Sequence, residues 1–143
     1  MTFTFHKGKH RPSWPYWLGG FPILLFRKNI KRELLFTYDS KYDLRSDDQY
    51  DWNKLFGISF GINPLNKSVR FAERYNILTG KFDIGYYIHH GLHFPPEYYL
   101  IAELFANHWY VLEINLVGDY TFKITKKETG SVLCNVQVSN NHN

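Results

Sequence analysis

Between residues 33 and 138 apolar and polar residues alternate with a period of two, and turn-forming residues interrupt the alternation every eight to twelve positions. Successive side chains of an extended strand point to opposite faces, so this pattern suits half-buried strands of a sandwich or barrel and fits no amphipathic helix. Residues 67–75 and 82–88 form the clearest pair. In the first, Val69, Phe71 and Tyr75 are expected to face a core while Arg70, Ala72 and Arg74 face away. In the second, Phe82, Ile84, Tyr86 and Ile88 share one face, with Asp83, Gly85 and Tyr87 on the other. Asn76-Ile77-Leu78-Thr79-Gly80 supplies the reversal between them.

Further strands are expected at 33–38, 54–60, 119–125 and 131–138, with His89-His90-Gly91 as a turn and a single helical turn near 48–54. Segments 97–105 and 108–116 carry bulky apolar residues on both faces, which predicts a hairpin of two central strands around Ala106-Asn107. The expectation is an all-β, antiparallel, jelly-roll-like β-sandwich of about eight strands with an irregular N-terminal arm. Aromatic residues make up 19% of the chain, which favours strands and broad contact surfaces over helix interiors. At 143 residues the chain suits a single core.

Charge divides the chain more sharply than its net +4 suggests. Residues 1–32 hold seven Lys and Arg and no acid, whereas the remaining 111 residues sum to −3. This separates a basic aromatic N-terminal arm (1–32) from a β-sandwich domain (33–138) and a polar tail (139–143). Lys7, Lys9, His10, Arg11, Trp14, Tyr16 and Trp17 mix cations, rings and prolines in a way that resists regular structure and suits either wrapping of the chain's own acidic body, with Trp14, Tyr16 and Trp17 at one end of the core, or partner binding. Other protein subunits of an assembly are the expected partners. Nucleic acid comes third, after a glycan, although cations that neutralise phosphates and rings that stack on bases lie in the arm.

The longest apolar run near the start, residues 21–26, is far shorter than the roughly 20 residues that span a bilayer, so no membrane span is expected. Pro and Gly interrupt that region and no small-residue cleavage site follows, which argues against a signal peptide and for folding in the cytoplasm. Cys134 is the single cysteine and reads as a small core side chain rather than a reactive thiol.

Two resemblances extend this reading. The segments Asn53-Lys54-Leu55-Phe56-Gly57 through Ser68-Val69-Arg70-Phe71, then Gly80 to Ile88, then His108-Trp109-Tyr110-Val111-Leu112-Glu113-Ile114 and Tyr120-Thr121-Phe122 resemble concanavalin A-like and laminin-G-like jelly rolls. That likeness covers residues 33–138 and implies sugar binding, for which Tyr42, Tyr87 and Tyr99 are the platform candidates. Such sandwiches often hold calcium on acidic loops, which would involve Asp43, Asp47, Asp48 and Asp51, but the EF-hand spacing is absent and the loop reads first as a solvated one that pairs with the basic arm and caps backbone turns. Lys9-His10-Arg11-Pro12, Tyr42-Asp43-Leu44 and the run from Asp48 to Gly57 resemble small proteins of tailed phages, which implies a virion-associated structural or decorating role.

No catalytic pattern accompanies these features. Glu97, Glu103 and Glu113 show none of the paired spacing of a glycosidase, and no nucleophile elbow or phosphate loop occurs. His89, His90 and His93 lack the further ligands that a closed zinc site needs, so they read as histidines of an exposed turn. The expected protein is a non-catalytic interaction module without a cofactor, with a carbohydrate-binding module as the alternative and a nucleic-acid-binding protein third.

Overall fold

The computed structural model describes residues 23–25, 27–61, 63 and 66–140. It contains β1 (Ile23–Leu25), β2 (Asn29–Leu35), β3 (Asn53–Ser59), β4 (Ser68–Asn76), β5 (Lys81–His89), β6 (Glu97–Leu104), β7 (Trp109–Asn115), β8 (Tyr120–Lys126) and β9 (Val132–Val138). The first sheet has the order β1-β3-β4-β5-β6 and the second β2-β7-β8-β9. Pairing is antiparallel throughout except for short β1, which lies parallel to β3. The protein is thus an all-β sandwich, as the period-two pattern predicts.

The inner faces meet in one core. Ile58, Val69, Phe71, Phe82, Ile84 and Ile88 from the first sheet pack against Ile30, Leu112, Ile114, Phe122 and Ile124 from the second. Phe71 meets Phe122 edge-on with centroids 5.3 Å apart, and Phe36 stacks on Phe82 at 4.1 Å. Each such side chain contributes roughly 1.5–3 kcal/mol through the area it removes from water. Cys134 lies half-buried against this core, and burial pushes its thiol pKa up.

The β4–β5 hairpin matches its sequence pattern residue for residue, with Phe71 opposite Tyr86 and Tyr75 opposite Phe82. Gly80 closes the turn at φ +70°, a conformation that glycine adopts without strain. The single helical turn expected near 48–54 is a 3-10 turn at Asp47–Tyr50.

Three local expectations are corrected. The strand expected at 33–38 is β2, which starts at Asn29 and buries Ile30 among basic neighbours. His89 belongs to β5 rather than to a turn, so the histidines are not simply exposed. His90 approaches Glu97 with Nε2 2.8 Å from Oε2.

The third correction matters most. β6 and β7 do not form a hairpin: β6 is the edge of the first sheet, whereas β7 lies between β2 and β8 in the second. The turn itself exists, with Asn107 at φ +62° and its N–H donating to the Phe36 carbonyl at 2.6 Å. It carries the chain around a corner from one sheet to the other. The bulky residues on both faces of β6 therefore belong to an exposed edge, where Tyr98 and Tyr99 are 54% and 67% accessible.

Candidate functional site

Strand alternation places Arg70, Ala72, Arg74, Asp83, Gly85, Tyr87 and His89 on the outer face of the first sheet. A solvated face is the expectation, yet Arg70, Ala72 and Asp83 are buried. Two glycines contribute. At Gly57 a Cβ would come within 2.6 Å of Arg70 Cα and 2.7 Å of Arg70 Cγ, so the arginine stem lies in the space a side chain would fill. At Gly85 a Cβ would meet the Trp52 ring at 2.9 Å, so the indole lies directly against the sheet at the glycine. The Arg74 guanidinium sits 4.3 Å from the Trp52 ring, and its Nε donates to Asp83 Oδ2 at 3.0 Å.

Beside this packed region lies a group of rings and cations. Tyr87 and Tyr98 are cross-strand partners whose rings lie 12° from parallel with centroids 5.6 Å apart. Lys54 Nζ is 4.3 Å from the Tyr87 ring centroid, and the His89 ring is 5.2 Å from it. Arg70 stands opposite Tyr87 in the β4–β5 register, and its Nε donates to Ser68 Oγ at 3.1 Å.

The electrostatics record how closely the cations sit. Burial lowers the Lys54 pKa, and Arg70 lowers it further, against an opposing effect of Asp51. Burial, then Arg70, Lys54 and His90, lower His89, which keeps the ring neutral at pH 7. His89 Nε2 is buried without a hydrogen-bond partner.

At the far end of β4 the acidic loop folds onto the sheet through polar groups. Gln49 is 2% exposed, and its Nε2 donates to the carbonyls of Tyr42 (3.0 Å) and Tyr75 (2.9 Å). Its Oε1 accepts from the Leu44 N–H at 2.7 Å. Gln49→Leu leaves those three backbone groups without this partner, an expected loss on the order of 3 kcal/mol. Chemical unfolding should show that loss, with faster amide exchange confined first to residues 41–50. Unchanged stability and exchange would contradict a pinning role for Gln49.

Next to it, Asn53 Nδ2 donates to Glu73 Oε1 at 3.2 Å and to the Tyr42 hydroxyl at 3.1 Å. The Tyr42 hydroxyl also accepts from the Tyr75 N–H at 3.0 Å. Glu73 Oε2 has no partner, and burial raises the Glu73 pKa to about 7. Burial, with the Glu73 charge nearby, raises Tyr42 as well.

The residues singled out in the sequence are dispersed. Lys7, Lys9, His10, Arg11, Trp14, Tyr16 and Trp17 lie outside the described residues. Tyr42, Tyr87 and Tyr99 do not share one face: Tyr42 anchors the acidic loop, Tyr87 is on the outer face, and Tyr99 pairs with inward-facing Tyr86. Asp43 Oδ1 accepts from the Arg45 N–H at 2.9 Å, while Asp47 and Asp48 sit exposed in a 3-10 turn that Asp51 ends. Among the described residues no group of three or more His, Cys, Asp or Glu is placed to hold a metal ion.

Lys54, Arg70, Trp52, Gln49 and Glu73 carry the observed arrangement without having been singled out. The available signal was the pair of glycines in otherwise bulky strands, since a glycine inside a strand marks close approach of another group.

The fold and this face together define a two-sheet β-sandwich with an aromatic, cationic outer surface next to an open edge strand. No family model, curated protein or solved structure matches the chain. Among the described residues no helix is long and apolar enough to cross a membrane.

Proposed function

We propose that the protein is a non-catalytic interaction module that docks onto protein subunits of a larger assembly. The observation that carries this reading is the apolar side at the β6 and β9 edges. Tyr98, Tyr99 and Leu100 on β6 and Val132 and Leu133 on β9 are exposed, and the two strands lie against each other at the same side of the sandwich. Neither strand contains Lys or Pro, the usual protection of a free edge. Exposed apolar side chains on strands that are sheet edges among the described residues suit a surface that a partner covers.

The basic aromatic stretch ahead of β1, with Arg11, Trp14, Tyr16 and Trp17, is the second contact in this proposal, because Trp, Tyr and Arg contribute most to interface energies. In its most specific form the protein is a structural or decorating component of a phage-like particle with a concanavalin A-like sandwich, supported only by the sequence resemblances. Deletion of residues 1–20 is the test. The truncated chain is expected to keep its β-sheet circular dichroism and melting temperature while losing recovery in a large assembly, measured by light scattering after size exclusion. A full-length chain that is monomeric in its producing cells, or a truncated chain that unfolds, counts against the reading.

A further inference from the structure

We propose that residues 42–51 form a latch over the β4 edge that is closed while Glu73 holds a proton and opens when Glu73 ionises. The latch needs no partner, so it stands apart from the interaction reading. Its geometric basis is the place where the first sheet narrows. The β3–β4 pairing ends at Asn53 opposite Glu73, whereas β4 continues to Asn76. Beyond that last pair the Tyr75 N–H donates to the Tyr42 hydroxyl at 3.0 Å, and the Tyr75 carbonyl accepts from Gln49 Nε2 at 2.9 Å. Two side chains of the loop thus satisfy backbone groups that a neighbouring strand would otherwise take.

Glu73 sits where the loop meets the strand. The Asn53 amide donates both to Glu73 Oε1 (3.2 Å) and to the Tyr42 hydroxyl (3.1 Å), so the carboxyl and the latch share a donor. Glu73 Oε2 is buried and has no hydrogen-bond partner. A neutral carboxyl is tolerated there, but a carboxylate leaves an unsolvated charge beside the Tyr42 phenol. Release of the loop admits water to that oxygen and leaves the β3–β4 ladder intact.

The neighbouring charges are engaged elsewhere. Among the described residues no cation is in hydrogen-bond or ion-pair contact with Glu73. From β4 and β5, Arg74 bonds to Asp83 on the outer face, Tyr75 packs its ring on Phe82, and Ile84 stands opposite Glu73. From β3, Lys54 lies over Tyr87, with Asp51 acting on it. On the loop, Lys41 lies over the Tyr38 and Tyr75 rings, Asp43 accepts from the Arg45 N–H, and Asp47 and Asp48 are exposed. From β2, Arg32 donates to the Lys31 carbonyl. Burial therefore dominates the Glu73 pKa and places it at about 7, and burial together with the Glu73 charge keeps Tyr42 a neutral phenol. The closed loop holds the proton more tightly than the open one, so closure weakens as pH rises from about 4.5 through 7 and levels off above.

Amide exchange on the full-length chain tests the latch, read as protection relative to the unprotected rate so that the pH dependence of exchange itself cancels. Between about pH 5 and pH 8 the opening constant of the Leu44 and Tyr75 amides is expected to rise on the order of fiftyfold, because release returns Glu73 from about 7 toward its ordinary 4.5. At the higher pH this opening should be insensitive to low urea. The Phe122 and Ile124 amides of β8, paired on both sides, should exchange only by urea-sensitive unfolding. Glu73→Gln is expected to abolish the rise and keep Leu44 and Tyr75 protected, and Tyr42→Phe to expose Tyr75 at both pH values.

The same pH dependence in Glu73→Gln as in the parent, or unchanged Tyr75 protection in Tyr42→Phe, would overturn the latch. A rise that Tyr75 shares with Phe122 and Ile124, with one urea dependence for all three, would overturn it as well. Glu73 would then weaken the whole sandwich without releasing the loop.

Discussion

Replacing Gly57 by Ala is expected to cost on the order of 4 kcal/mol, a large part of the stability of a domain this size. The added Cβ overlaps the Val69 carbonyl oxygen and lies 2.6 Å from Arg70 Cα, both backbone atoms of the paired strand. Backbone cannot rotate aside as a flexible side chain can, so β3 and β4 must separate and lose ladder hydrogen bonds on the sheet that carries the outer face. Urea unfolding should show a midpoint shifted sharply downward, or no folded baseline. Gly61→Ala is the control: no atom lies within 4 Å of its added Cβ, and a change within about 0.5 kcal/mol is expected. Comparable stability of the two variants would disprove the close approach of Arg70 to Gly57.

Glu73→Gln should act in the opposite direction, and only at higher pH. Burial raises the folded-state pKa from the ordinary 4.5 to about 7, so between those values the folded protein holds a proton that the unfolded chain has lost. Stability contributed by neutral Glu73 is therefore complete below the unfolded value, falls as pH rises through this window, and levels off above it. The full difference is about 3 kcal/mol, from 1.36 kcal/mol per pKa unit. Glutamine stays neutral and keeps an oxygen for the Asn53 amide, so the variant lacks this fall. Unfolding free energies of both proteins at about pH 5 and pH 8 test the point, with the variant gaining relative to the parent at the higher value. A variant that loses ground as pH rises would show that the Glu73 charge is stabilised rather than penalised.

Glu73 also illustrates what a strand pattern hides. It occupies an inward position of β4, between Phe71 and Tyr75 and opposite Ile84, where alternation calls for an apolar residue. The sequence alone assigns it to a face but cannot say that Asn53 and Tyr42, from a bulged strand and a distant loop, arrive beside it. Gln49 is similar. Within an acidic, polar loop it resembles its exposed neighbours, and only the approach of the Tyr75 carbonyl makes its burial favourable. Tyr87 lies on the face that its alternation predicts, and the ring stacked on it is Tyr98 from the neighbouring strand, a pairing that alternation alone does not give.

Local chemistry was enough for the all-β class, for most strand positions and for the β4–β5 hairpin. Side-chain alternation and turn residues act over a few neighbouring positions, and a short reversal leaves two adjacent strands little choice of partner. Tertiary contacts decided that β6 is an edge, that the chain changes sheets at Asn107, and that the outer face around Arg70 is covered. Period two reports which side chains share a face, and it is the same for a central strand and an edge. Which strand lies alongside, and which loop folds over the far face, depends on contacts between residues remote in the chain, such as Trp52 on Gly85 and Asn107 on Phe36.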